Sequence, residues 1–425
     1  MTTVLLYTLG VVLFVLGIGI SIGLHEMGHM IPAKKFGVKV TQYFVGFGPT
    51  LWSTKRGETE YGVKWIPLGG YVKLVGMLPP SDTTNPARLR AASTGVFAQL
   101  ISDARSAEYE SVEPGEEDRL FYRKAWWKKL IVMSGGPLVN IAIAFFLFGG
   151  VFMLHGVPEV KPVVSGISSC TKDTCADPTG QTPAQLAGLR PGDRLSAFNG
   201  TRITSWAQLV PLIHGSAGQK ASIGVVRDGK AVVLRTTISS LPQKAGTTTS
   251  AQGFLGVAPT AVLVRKGPGY TVQQMGDSTW QTVKAVVNLP VKLYGVGKTV
   301  LGISPRDPQS PVSVVGISRI AGETASTQSI SVTDRFVTLL MILGAVNLFL
   351  GMFNFVPLLP LDGGHIAGAL YEAARRALAK LFHRPDPGYF DVAKLLPVAY
   401  TVAGALLVMS VLLIYADLVA PVKLS

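Results

Sequence analysis

The chain has 425 residues, of which 48% are hydrophobic and only 15% charged, with a mean hydropathy of +0.37. That composition excludes an ordinary soluble protein, and the apolar residues gather in a few long runs, as in a membrane protein. The net charge of +14 does not imply nucleic acid, because no basic stretch is interleaved with stacking aromatics; loops whose Lys and Arg fix membrane topology account for it better.

The first uncharged stretch covers residues 1–24 and, from about residue 4, is long enough to cross a bilayer. It shows neither a basic leading segment nor a small-residue cleavage site, so an uncleaved helix is predicted. The helix closes on His25-Glu26-Met27-Gly28-His29, an H-E-x-x-H pattern. Positions i and i+4 share a helix face, so both imidazoles can reach one metal ion. Zinc lowers the pKa of a bound water to about 7, and Glu26, beside the first ligand, is placed to take its proton. Ionisable groups in a membrane helix are costly and functional by default. The competing reading is a polar helix end that meets the headgroups, with Pro32 and Lys34 beyond.

Residues 46–51, Gly-Phe-Gly-Pro-Thr-Leu, precede a β-rich stretch at 61–74 that contains Gly69, Gly70, Tyr71 and Val72. An exposed strand edge there can pair with an unwound segment, something a transmembrane helix cannot offer from its own backbone. The alternative is a small hairpin that only packs on the helices. Residues 80–117 are polar and read as a flexible insertion without assigned function. The second apolar run spans 130–154 and opens on Ser134-Gly135-Gly136-Pro137-Leu138-Val139-Asn140, whose small residues suit close helix packing. That segment is read as structural.

Two further apolar runs cover 336–355 and 395–416, giving four spans. Lys34, Lys35 and Lys39 follow span one, Arg123, Lys124, Lys128 and Lys129 precede span two, and Arg375, Arg376, Lys380, Arg384 and Lys394 lie between spans three and four. The positive-inside rule makes these loops cytoplasmic, which leaves both termini and residues 156–334 outside. Cys170 and Cys175 then sit in an oxidising compartment, where they can form a small-loop disulfide. Spans one and three run in the same direction. The segment Asn354-Phe355-Val356-Pro357-Leu358-Leu359-Pro360-Leu361-Asp362-Gly363-Gly364-His365 therefore reaches the same membrane side as His29. Catalytic zinc commonly takes three protein ligands. Asp362 is the expected third, with His365 ranked below it, and Gly363 and Gly364 permit a tight turn beside the ligand.

Together these motifs resemble the site-2 protease family of intramembrane zinc metalloproteases, especially the bacterial regulators that cleave anti-sigma factors. The resemblance implies that His25, His29 and Asp362 hold Zn2+, that Glu26 is the general base, and that Asn354 lies near the substrate backbone, although Asn347 competes for that role. It also implies a membrane-associated β-hairpin near the metal, with Gly69, Gly70, Tyr71 and Val72 in contact with substrate. Residues 183–195 and the following Asn199-Gly200 turn closely resemble a PDZ domain of the bacterial protease type; 253–257 is the candidate peptide-binding strand and loop. Whether such a domain docks peptide or acts as a size filter stays open. Residues 310–316 resemble a family segment without an assigned mechanism.

The expected fold is an α-helical polytopic membrane protein with four transmembrane helices, a membrane-associated β-hairpin and one extracytoplasmic α+β PDZ domain. The expected segments are 1–32, 33–129, 130–155, 156–262, 263–334, 335–394 and 395–425. The resemblance implies an inner-membrane enzyme acting on a single-span, anti-sigma-type substrate after an earlier cleavage. A proteolytically inactive PDZ scaffold with a residual metal site is the alternative. A zinc transporter would need a polar path across the membrane, whereas the ionisable residues cluster at one depth.

Overall fold

The computed structural model describes residues 2–79, 101, 105, 112, 115–168, 180–245 and 248–422. Cys170, Cys175 and most of the 80–117 insertion lie outside the described residues, and with them the disulfide expectation. The chain divides into two compact units, Met1–Val151 with Gly267–Ser425, and Phe152–Lys266.

In the first unit, helix α1 (Thr2–Lys35) is apolar on every side until its C-terminal turns. It leads into two long antiparallel strands, β1 (Val40–Arg56) and β2 (Thr59–Leu74). Their register shows a bent sheet of four segments. Residues 40–45 pair with 60–63 on one side and with 70–74 on the other, while 50–56 pairs with 59–64. Residues 70–74 are thus an edge, and no further strand pairs with them among the described residues. Tyr43 donates from its hydroxyl to the Gly23 carbonyl at 2.8 Å, which fastens the sheet to α1 just before His25. Helix α2 (Trp126–Gly150) crosses α1 backbone to backbone. A Cβ on Gly28 would lie 2.5 Å from the Gly135 carbonyl oxygen, and one on Gly135 only 1.9 Å from that of Gly28. Small residues let two apolar helices approach this closely where no hydrophobic force drives them together.

The second unit is built from β3 (Val157–Ile167), α3 (Pro183–Leu186), β4 (Arg194–Phe198), β5 (Thr201–Arg202), α4 (Trp206–His214), β6 (Lys220–Arg227), β7 (Lys230–Thr237), β8 (Ser239–Ala245), β9 (Thr248–Phe254) and β10 (Val257–Val264). Its main sheet has the order β10-β3-β4-β6-β7, with β5 paired to β4 and a separate β8-β9 ribbon. Alternating inward residues such as Leu195, Ile223 and Val225 pack with Phe198, Leu209 and Leu255 in one core. Asn199 and Gly200 both have positive φ, 48° and 82°, as a two-residue turn between antiparallel strands requires. Buried Asp193 accepts two hydrogen bonds from Arg227, each at 2.7 Å, and one from the Arg190 amide at 2.8 Å. The Arg227 guanidinium holds its carboxyl below the ordinary range. Leu255, inside the 253–257 segment, is a core residue, and the Gly256 carbonyl accepts from the Ser168 amide.

The rest of the first unit begins with α5 (Pro268–Val287), α6 (Leu289–Val300) and α7 (Val314–Ser326), helices in a stretch where no element is legible from sequence. They are amphipathic and interrupted at Pro290 and Gly302, so no long apolar run announces them. Helix α7 packs on α1 through small residues: a Cβ on Gly10 would lie 2.4 Å from Ala325 Cβ. Helix α8 (Val332–Asn354) follows, then α9 (Asp362–Leu381) and α10 (Leu396–Val419). Among the described residues, four helices are long and apolar enough to cross a membrane: Thr2–Lys35, Trp126–His155, Val332–Asn354 and Val392–Val419.

Candidate metal centre and active site

His25 and His29 project from one face of α1, and Asp362 is the first residue of α9. The structure brings all three together. His25 Nε2 and His29 Nε2 are 3.3 Å apart, and Asp362 Oδ2 is 3.4 Å from each. Ligands about 2.0–2.1 Å from one tetrahedral ion stand about 3.3–3.4 Å from one another. The three atoms therefore form one face of a zinc-sized tetrahedron.

The proton inventory agrees. His29 Nδ1 lies 2.8 Å from the Val132 carbonyl, which can only accept, so Nδ1 carries a hydrogen and the neutral ring turns its Nε2 lone pair toward the triangle. Asp362 Oδ2 is buried with no hydrogen-bond donor among the described residues. Burial alone would raise the Asp362 carboxyl, but the two histidines outweigh it and hold the group well below the usual carboxylate range. Two imidazole Nε2 atoms and a carboxylate oxygen converge on one point, a donor set that suits a divalent cation. His365 stands outside this triangle but lines the same cavity, and burial pushes its imidazole down to about 4, leaving it neutral at pH 7.

Three glycine sites make the geometry possible. A Cβ on Gly136 would sit 2.2 Å from His29 Nε2 and 2.7 Å from His25 Nε2, so α2 passes the imidazoles with no room for a side chain. Hypothetical Cβ atoms on Gly363 and Gly364 would meet the Val356 carbonyl at 2.1 Å and Leu359 at 2.7 Å, so the chain folds back tightly just where Asp362 is presented. Sequence reasoning gave 134–140 only a packing role. Val132 and Gly136 nonetheless orient and admit the histidines, and Asn140 lines the cavity with its Oδ1 buried and without a partner among the described residues. The signal available was the Gly-Gly pair itself, two turns into a membrane helix.

Gly136→Ala is expected to displace the His29 ring. Zinc content of the purified protein should fall at least about tenfold, the scale of losing ligand orientation. Full zinc content in that variant would show that α2 can yield without disturbing the dyad.

The triangle opens on a cavity of about 570 Å³ lined by Glu26, Gly69, Gly70, Tyr71, Val72 and Asn354, among others. A Cβ on Gly70 would lie 3.0 Å from Glu26 Cγ, so the edge segment 70–74 crosses close over that carboxylate. Gly69 has φ +91°, and a Cβ there would strike the Phe47 ring at 2.4 Å. Neither glycine tolerates a side chain, which is how the strand edge comes so near Glu26. Asn347 does not reach the cavity; it is fully buried and donates to Ser21 Oγ at 3.0 Å and to the Leu343 carbonyl. Of the two candidate asparagines, the cavity wall contains Asn354.

Residues 13–384 match the model of Peptidase family M50. The chain is similar to the zinc metalloprotease Rip1 of Mycobacterium tuberculosis, 35% identical with 99% of this chain and all of that protein aligned. The zinc metalloprotease Rip1 of Mycolicibacterium smegmatis is 32% identical over 99% of this chain and all of its own length. The regulator of sigma E protease of Salmonella typhi is 24% identical over 83% of this chain and 88% of that one.

Proposed function

Because the chain belongs to peptidase family M50, the site-2 proteases, and is a membrane zinc metalloendopeptidase, we propose that it hydrolyses a peptide bond in or near the transmembrane segment of a single-span protein. In this reading His25, His29 and Asp362 hold the zinc. The observation that carries it is their triangle, with edges of 3.3–3.4 Å, opening beside Glu26 onto a cavity with residues 70–72 of β2 in its wall. When bound, zinc supplies Lewis-acid polarisation of a peptide carbonyl and of water. Glu26 takes the proton of the attacking water on its carboxylate and returns it to the leaving amine nitrogen. Residues 70–72 of β2 hold an unwound substrate segment extended by strand addition, and Asn354 on the cavity wall contacts its backbone. Burial among Ile18, Ile22, Val346 and Leu350 limits water around the reacting bond.

The reading extends to an anti-sigma factor as substrate, cut after a prior cleavage outside the membrane; the name of the Salmonella relative supports this. The test is cleavage of a model single-span peptide by the purified protein. Cleavage should stop with a chelator and return with added zinc, whereas chelator-resistant cleavage would contradict the assignment.

Charge asymmetry supports an orientation with both termini and the 156–262 region, read as a PDZ domain, outside, and the metal site toward the cytoplasm. With both native cysteines replaced, Lys230→Cys should be labelled by an impermeant thiol reagent in intact cells and Lys55→Cys should not. Both positions are exposed, so the reverse pattern would overturn the orientation.

A further inference from the structure

Two of the most deeply buried charges in the molecule lie away from the reacting groups. Lys129 on α2 and Glu372 on α9 meet at 2.7 Å, with side chains only 8% and 2% exposed. The Phe390 amide donates to the same Glu372 oxygen at 3.2 Å. Lys129 Nζ also lies 5.2 Å from the centre of the Tyr389 ring. An ion pair so buried is a poor source of net stability, since apolar residues of equal volume commonly do as well; its best-attested use is to fix register.

The register in question is that of α9 against α2. Helix α2 carries Lys129, then Val132, whose carbonyl holds His29 Nδ1, then Gly136, which faces both imidazoles. Helix α9 carries Asp362 at its first position and Glu372 ten residues on. A slip of α9 by one residue would move Asp362 by about 1.5 Å and turn it by about 100°. A metal site tolerates about 0.2 Å in its ligand distances. The Gly363-Gly364 turn restrains only the start of α9, and the ion pair restrains its middle from α2, whose Val132 carbonyl orients His29 on α1.

We propose that Lys129 and Glu372 are a positioning pair for the metal centre, locking α9 onto α2 so that Asp362 meets His25 and His29. The proposal rests on the reading of Asp362 as a zinc ligand. Neither residue lines the cavity or belongs to the metal triangle.

The test uses the full-length purified protein, with zinc affinity measured by competition with a chelating dye and the thermal midpoint measured on the zinc-free form. Lys129→Met/Glu372→Gln removes both charges and leaves an amide oxygen to accept from Phe390. It should melt within a few degrees of the parent yet bind zinc about 10–100-fold more weakly, the range for losing a ligand's supporting contact. At saturating zinc its kcat should fall while KM, set by the strand edge at 70–72, stays put. Lys129→Arg keeps the bridge and should bind zinc within about threefold of the parent. A folded double variant with parental zinc affinity would overturn the proposal. If the double variant cannot be folded, Lys129→Arg decides, and a tenfold or greater loss of affinity there overturns it. Asp362→Ala is the control that separates the two readings: zinc retained in that variant would remove Asp362 as a ligand. Zinc lost there but kept by the double variant would remove only the positioning role.

Discussion

Asp362→Ala should strip the purified protein of most of its zinc, while His365→Ala should leave it bound. The two residues are neighbours on α9 and both line the cavity, so sequence alone ranks them without deciding. Geometry separates them. Asp362 Oδ2 completes a triangle with the two Nε2 atoms at 3.4 Å, whereas His365 is not among the residues whose ligand atoms converge. Charge separates them too. Asp362 is held as an anion by its two histidines, and two imidazoles with one carboxylate form a familiar catalytic zinc set. Removing the carboxylate leaves only the two imidazoles, and zinc affinity should drop by a factor of about 10² or more, beyond the range for a supporting contact alone. The measurement is metal content by elemental analysis after dialysis against a weak chelator, at matched protein folding. Zinc kept by Asp362→Ala and lost by His365→Ala would put the third ligand at His365.

Much of the candidate site's residue set is legible in the sequence. H-E-x-x-H has a helical meaning because i and i+4 share a face, and the spans had to run in parallel to bring Asp362 to the same end as His29. Each of the four apolar runs became a helix, since a backbone in lipid has no other way to satisfy its amides within one segment. What could not be read are contacts between segments far apart in the chain. Gly136 looks like an ordinary small residue of a membrane helix until α2 is laid against the imidazoles. The four-segment curl of β1 and β2, which makes 70–74 an edge, depends on a register that alternation alone does not set. Helices α5 to α7 escaped because their polarity is mixed and their apolar faces answer to partners absent from the local sequence. Helix α9, with Arg375, Arg376 and Lys380 along it, read as a charged loop; it folds because its other face packs Gly364, Gly368 and Ala369 inward.

Glu26→Gln tests the central claim most directly. Glu26 lies one residue past His25 on α1, against the Gly70 backbone, and lines the same cavity as the metal triangle without belonging to it. The amide keeps the shape of the side chain and loses the base. Zinc content and thermal midpoint should therefore match the parent, while the rate of peptide-bond cleavage in a single-span substrate falls by a factor of about 10² or more, the scale of losing a general base. The variant should also hold substrate without cutting it, because the strand addition proposed at 70–72 does not involve the carboxylate. The decisive measurement is the single-turnover cleavage rate of a zinc-loaded Glu26→Gln protein beside the parent on the same transmembrane peptide. A collapse in rate with full zinc and retained substrate binding is the predicted result; cleavage at the parental rate would contradict the account.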